Sequence, residues 1–299
     1  MALFQKACSD LARAKQANAG LETCAYLESL VARGYAEVHS QRTNVSRFRP
    51  FHWLTRVFPR TFRKHYRAFL LASILTLIGM LVGGILLVVD PHGRQVALAP
   101  FSHVASQTPS QRVEQEEKAQ NRALDELEHR KKTFSAQLMT NNIRVSFNAM
   151  ALGLSWGVGT ALLLFYNGVI LGAVCLDYLL DDQGVFLLGW LLPHGSFEIP
   201  AILIAGQAGF VLAHAMIGWG TRDGLRKRLR AVAPAVATLV GGAAVLLLWA
   251  GFIEAFFSQY HAPILPYWLK ITFGSLELVL LFAFLTLAGR AANQEEDSR

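Results

Sequence analysis

Apolar positions in this chain run in blocks far longer than a soluble helix or strand can bury, and polar residues collect between the blocks. A helix needs about 20 predominantly apolar residues to cross a bilayer. On that measure the pattern predicts six crossings, at about 68–89, 143–165, 168–180, 184–218, 232–253 and 264–288. The third is short for a crossing, and Asn167-Gly168 before it reads as a tight turn, because both residue types tolerate positive φ. The fourth is too long and carries a helix breaker at Pro193-His194-Gly195. A break at that depth is tolerated where it is buried in protein or lines a wet cavity, and in transporters it points to a binding site. The alternative is a surface helix over 184–192 that turns into the membrane.

The segments outside the blocks are of another kind. In residues 1–66, Leu11, Ala14, Leu21, Ala25, Leu27, Leu30 and Val31 recur at near-helical spacing, which predicts two short cytoplasmic helices. From Phe48 to Phe62, the apolar residues Phe51, Trp53, Leu54, Val57, Phe58 and Phe62 alternate with arginines, the pattern of a helix lying on the inner leaflet. Residues 90–140 form a loop with a charged, mixed-sign helical stretch at about 110–138. The expected organisation is a cytoplasmic helical and interfacial region over 1–66, a transmembrane domain over 67–289 with its extracytoplasmic loop at about 90–140, and a cytoplasmic tail over 290–299. The fold class is all-α, a polytopic membrane bundle of about six spans with short or broken helices.

Charge orients the bundle. Only 16% of residues are charged, yet the formal net charge is +7 and the basic residues are clustered. Arg42, Arg47, Arg49, Arg56, Arg60, Arg63, Lys64 and Arg67 precede the first crossing with no acid among them, and Arg222, Arg226, Lys227, Arg228 and Arg230 fill a short loop. Beside membrane spans such clusters mark the cytoplasmic side and meet anionic lipid headgroups; nucleic-acid binding is not expected. Four crossings separate the two clusters, so both fall on the same side, as the rule requires. Both termini are then cytoplasmic. Cys8, Cys24 and Cys175 show no metal or redox spacing, and no cleaved export signal opens the chain.

Small and polar residues then mark the contacts. Gly79 and Gly83, Gly153 and Gly157, and Gly168 and Gly172 form small-xxx-small pairs, which let helices approach closely and suit a compact bundle or a homo-oligomer. Asn141, Asn142 and Asn148 open the second crossing from outside, His194 and Glu198 stand one turn apart in the fourth, and Glu254 ends the fifth, so all fall in one outer-leaflet layer. Gln207 lies about 13 Å below Glu198 and Glu277 partway along the last crossing, while Asn167 and His214 belong near the inner surface. Intramembrane polar groups of this kind are costly and mark function or helix contacts.

Three readings stay open at this point. In the first, the layer is the outer end of a polar path for a small ion, with Glu198 or Glu254 attracting a cation and Gln207 and Glu277 continuing inward. In the second, the groups satisfy one another and fix helix register, as in a membrane scaffold. In the third and most distant, His194, Glu198 and Glu254 hold a cation or zinc, as in an intramembrane metal-dependent enzyme. A zinc-hydrolase HExxH is absent, as are a nucleophile elbow and a phosphate-binding loop, so no enzyme is expected.

The run Asn141-Asn-Ile-Arg-Val-Ser-Phe-Asn148, the glycines 153, 157 and 159, Asn167-Gly168, His194-Gly-Ser-Phe-Glu198 and Ile253-Glu254-Ala-Phe256 together resemble the stage II sporulation protein M family. Ala7-Cys-Ser-Asp-Leu-Ala-Arg-Ala14 and Phe58-Pro-Arg-Thr-Phe-Arg63 resemble its cytoplasmic region. The resemblance implies a polytopic protein of the bacterial inner membrane. In spore formers the founding type works with a cell-wall hydrolase and a partner membrane protein, which implies cell-envelope partners; many relatives occur in bacteria that form no spores.

Overall fold

The structure, a computed structural model, describes residues 2–17, 19–39, 49–89, 94, 107–120, 140–258, 260 and 264–290. The chain divides into two units, Met1–Pro50 and Phe51–Arg299. In the first, α1 (Ala2–Gln16) and α2 (Leu21–His39) form a hairpin of the kind the apolar spacing predicts. Lys15 pairs with Glu28 across it at 2.6 Å, and the Phe4 ring lies so close over Gly34 that a Cβ there would stand 3.0 Å away.

The second unit opens with a π-helical turn, Trp53–Val57, that runs into α3 (Phe58–Lys64). Then come α4 (Tyr66–Val89), α5 (Pro109–Gln120), α6 over residues 140–151, and α7 (Val158–Leu180). The chain continues through α8 (Gly184–Ile217), α9 (Leu225–Ile253) with a π-helical turn at Glu254–Ser258, and α10 (Tyr267–Leu287). Among the described residues, five segments are long and apolar enough to cross a membrane: α4, α7, α8, α9 with its π turn, and α10. The shorter α6 accompanies them. Of the charged stretch expected at 110–138, Pro109–Gln120 is helical and 121–138 lies outside the described residues.

The aromatic, basic stretch before α4 was expected on the inner leaflet as part of a 1–66 region, but it is packed into the bundle. Phe58 is fully buried, set against Gly242 of α9 and 6.4 Å from the Phe284 ring of α10, and Phe62 stacks edge-on with Phe69 at 4.9 Å. Gly242 has no side chain, which leaves the hole that Phe58 fills. Phe58 and Phe62 are therefore covered by protein. Phe51 alone of this set stays widely exposed.

The reversal expected at Asn167-Gly168 occurs earlier. The chain turns over Ser155-Trp156-Gly157, where Trp156 has φ 53° and Gly157 φ 83°, a left-handed pair that ends one helix direction and starts another. Ser155 Oγ accepts the Gly159 N–H at 2.9 Å and so caps the start of α7. Asn167 is in the middle of α7, donating its amide to the Leu163 carbonyl at 2.9 Å, so it is neither a turn nor an inner-surface residue. A full-length α7 thus replaces the short third crossing. Asn142, Gly153 and Gly157 meet Glu198, Gly209 and Ala213 in that order, so residues 140–157 descend beside α8 in its own direction.

Glycine brings α4 and α7 together. Gly79 abuts Phe165 and Gly168, Gly83 abuts Val169, Gly168 abuts Thr76, and Gly172 abuts Met80, in each case with backbone where a side chain would stand. The paired positions advance together along both helices, so α4 and α7 run parallel. Two small-xxx-small pairs are thereby used against each other inside one chain.

α8 is the hub, packing on α9, α10, α4 and α6. It is one helix of 34 residues through Pro193 and Pro200, so the interruption expected at Pro193-His194-Gly195 does not occur. Each proline removes one backbone donor. Close packing holds the helix across the gap: Gly274 of α10 sits so tightly on it that a Cβ would stand 2.6 Å from the Leu192 carbonyl carbon and 2.8 Å from the Pro193 nitrogen. Among the described residues, departures from regular α-helix lie instead in the π-helical turns at Trp53–Val57 and Glu254–Ser258 and in the 3-10 turn at Leu152–Leu154.

Candidate functional site

The polar layer gathers where α8 begins its membrane course, α9 ends and α10 starts. His194 comes from α8 and is 3% exposed. Its Nδ1 lies 2.8 Å from Glu254 Oε2 and 3.1 Å from Ser258 Oγ, both on the π-helical turn of α9. Residues 254 and 258 are four apart, on one face of that turn, and so reach the same imidazole nitrogen. Trp190, one turn back on α8, meets the His194 ring edge-on at 5.6 Å.

Lys270 completes this corner. It is fully buried and donates to the carbonyls of Ser258 at 2.7 Å and Tyr260 at 2.8 Å. A helix leaves its last carbonyls without intrahelical donors, and a cation there also opposes the negative end of the helix dipole. Lys270 of α10 thus closes the end of α9. Glu198, one turn below His194, accepts the Asn142 amide at 2.6 Å and so ties α6 to α8.

The other expected members are placed apart. Glu277 accepts the indole N–H of Trp249 at 2.9 Å, linking α10 to α9. Gln207 is fully buried and donates to the Phe62 carbonyl at 2.9 Å, which fastens α3 under α8. Asn141 and Asn148 are exposed on α6, and His214 is exposed near the end of α8. Among the described residues no three His, Cys, Asp or Glu side chains are arranged to hold a metal ion, those of His194, Glu198 and Glu254 included. The reason is local: Glu198 is turned to Asn142, while His194 and Glu254 take each other. Nor do Ser258, His194 and Glu254 make a nucleophilic triad. There the serine and the acid engage opposite ring nitrogens, whereas here both reach Nδ1.

A second polar cluster, absent from the sequence expectations, lies at the far end of α7. Asp177 receives Arg94 Nε at 2.8 Å and Arg112 Nη2 at 3.1 Å, and Arg112 also lies 4.9 Å over the Tyr178 ring. Asp181 accepts the Ser110 backbone N–H at 2.6 Å, and the Tyr267 hydroxyl donates to Glu117 at 2.7 Å. That backbone bond holds the Asp181 carboxyl below its usual range. Together these contacts clamp α5 onto α7 and α10. Ser258, Lys270, Asp177 and the two arginines were legible only as isolated polar residues at the edges of apolar blocks.

The fold and the buried layer define a polytopic helical membrane protein. A family model for stage II sporulation protein M matches residues 68–259, and the chain belongs to that family. Residues 1–40 match a separate domain of unknown function, DUF8413, in line with the independent α1–α2 unit. The chain is 35% identical over 78 residues to an uncharacterised protein of Methanocaldococcus jannaschii, a match covering 26% of this chain and 44% of the relative. It therefore spans less than half the length of that curated relative. No solved structure matches it.

Proposed function

We propose that this protein is a non-enzymatic scaffold of the bacterial inner membrane, with both termini cytoplasmic, that holds cell-envelope partners on its outer face. One observation carries this reading: the polar groups of the buried layer are engaged with one another across helices. His194 faces Glu254 and Ser258, Asn142 binds Glu198, and Lys270 binds two carbonyls. Such pairs fix register between helices that share a lipid-like environment, where apolar contact alone is weakly discriminating. The clamped α5 supports an outer platform, because Arg112 and Ser110 tie it to Asp177 and Asp181 of the bundle. Assembly as a homo-oligomer belongs to the same reading.

A second reading, passage or sensing of a small ion, draws on three buried carboxylates, Glu198, Glu254 and Glu277, within one bundle. The two readings part in one experiment. Full-length protein in liposomes is assayed for proton and monovalent-cation flux, and cross-linked native membranes are compared for partners held by the full chain and by a chain lacking residues 95–135. The scaffold reading expects flux no greater than in empty liposomes and loss of a specific envelope partner on deletion. Flux abolished by Glu198→Gln would overturn it.

A further inference from the structure

At the end of the bundle where α3 meets α10, three arginines stand close together without a carboxylate. Arg60 Nε donates to the Gly289 carbonyl at 2.9 Å and Arg63 Nη1 to the Leu285 carbonyl at 2.8 Å, so both guanidinium groups are drawn to the last turn of α10. Arg290 follows immediately and lies within electrostatic range of Arg63. Arg56 is the fourth: a Cβ on Gly289, whose φ is 75°, would stand 3.2 Å from the Arg56 Cα. Among the described residues no acid pairs with Arg56, Arg60, Arg63 or Arg290.

Two helix carbonyls account for only part of this charge. The negative end of the α10 dipole offers about half an elementary charge, against three or four guanidinium groups. Arg60 Nη2 is shielded from solvent within the protein yet has no hydrogen-bond partner there. An arginine presents its donors as a planar fork matched to carboxylate or phosphate oxygens, so an idle nitrogen beside a bonded one is a donor left without its acceptor. Burial and the neighbouring Arg290 and Arg60 push the Arg63 guanidinium below its ordinary range, the expected result of crowding like charges. The position fits one source of anion. α4 starts two residues after α3 ends, and α10 ends against it, so the cluster stands at the headgroup level of the leaflet that the charge rule assigns to the cytoplasm.

We propose that Arg56, Arg60, Arg63 and Arg290 form a binding site for the phosphate group of an anionic phospholipid at the end of α10. A single headgroup there joins α3 to α10 and neutralises charges that otherwise repel across their contact. It is a defined site, distinct from diffuse attraction of a basic surface to a charged leaflet.

The test uses the full chain in nanodiscs of phosphatidylcholine with and without 20 mol% phosphatidylglycerol, read by thermal unfolding and by lipids retained in native mass spectra (about 20 mol%, a working choice that gives a clear surface charge). Arg290→Gln and Arg56→Gln are the informative variants, since neither side chain holds a described bond that the fold needs. Expected are preferential retention of one phosphatidylglycerol and a higher unfolding temperature with it, both reduced several-fold in Arg56→Gln/Arg290→Gln. The control Arg226→Gln/Lys227→Gln, which removes as much charge from the other basic loop, leaves both unchanged. Equal loss in the control means diffuse attraction and overturns the site. So does a full response to inorganic phosphate in lipid-free micelles, which would make the ligand a soluble anion. A phosphatidylglycerol response that emerges only when residues 291–299 are deleted would assign the site to the tail's own Glu295, Glu296 and Asp297.

Discussion

His194 of α8 and Glu254 of α9 face each other at 2.8 Å, Nδ1 to Oε2, with 3% and 1% of their surfaces exposed. A buried pair of this kind contributes little net stability over an apolar pair of equal volume, but removing one member strands the other. Its value is in register, because only one sliding position of α8 against α9 brings the two together.

The first prediction follows from that asymmetry. His194→Leu and Glu254→Leu should each destabilise the protein by about 3–5 kcal/mol, while the double variant should lose clearly less than the sum. Thermal unfolding in detergent, followed by far-ultraviolet circular dichroism, measures all three. Additive losses would mean that the two groups do not depend on each other.

Adjacent glycines of α4 make a sharper test of packing. A methyl group on Gly83 would collide with the Val169 backbone, whereas one on Gly84 would meet only Leu176 Cδ2 at 3.5 Å. Gly83→Ala should therefore cost about 1–3 kcal/mol from overpacking. Gly84→Ala should be neutral or up to about 1 kcal/mol stabilising, the helix-propensity gain of alanine. Equal unfolding temperatures for the two variants would contradict the close parallel contact of α4 and α7.

How far the sequence reaches can be judged from these same residues. Gly79, Gly83, Gly168 and Gly172 were readable as contacts because small residues four apart have few other uses in an apolar helix. Their partners were not readable, since either self-association or an internal seam satisfies the same spacing. Asn167-Gly168 misled because the dipeptide that favours a turn in water also serves as a helix contact in a bundle, with Asn167 bonded to its own helix. The true turn was carried by Trp156, a residue with no turn preference, beside Gly157. Pro193 misled for a related reason: the lost bond is local, and the packing of Gly274 that holds the helix straight through it is not. His194 and Glu254 were named from their depth alone, but Ser258 and Lys270 stand at the edges of apolar blocks, and their partners come from packing between helices that the apolar pattern does not mark.

Acid should loosen the clamp on α5. The Asp181 carboxyl titrates below its unfolded value, near 3.9 for an aspartate, because the Ser110 N–H stabilises its charged form. A depressed folded pKa gives stability that is present above the unfolded pKa and is lost as pH falls through the folded one. Amide protection of α5, corrected for intrinsic exchange rates, should thus fall in acid below about pH 4. Asp181→Asn should flatten that dependence. A profile unchanged by the substitution would assign the acid response to another carboxylate.

Asp177 offers the matching test without pH. Asp177→Asn should release Arg94 and Arg112 and raise trypsin cleavage within α5 several-fold at constant global stability, the behaviour of a local opening. Exchanging the charges, with Asp177→Arg and Arg112→Asp together, should recover part of the protection. If cleavage is as slow as in the native chain, the two arginines are not what holds α5 down.

The short α6 has a consequence for how the chain enters the membrane. From residue 140 to the turn at Gly157 it is too brief and too polar, with Asn141, Asn142, Arg144 and Asn148, for an insertion machinery that selects about 20 apolar residues to accept it alone. Its lodging depends on α7, with which it forms a hairpin, and on α8, whose Glu198 and Gly209 it meets. Biogenesis must then be out of step with chain order: α4 inserts first, and α6 is drawn in only after later helices have been made. A released chain truncated after residue 157 should leave positions 146 and 149 open to thiol labelling, whereas the same positions, buried in the finished protein, should be closed to it.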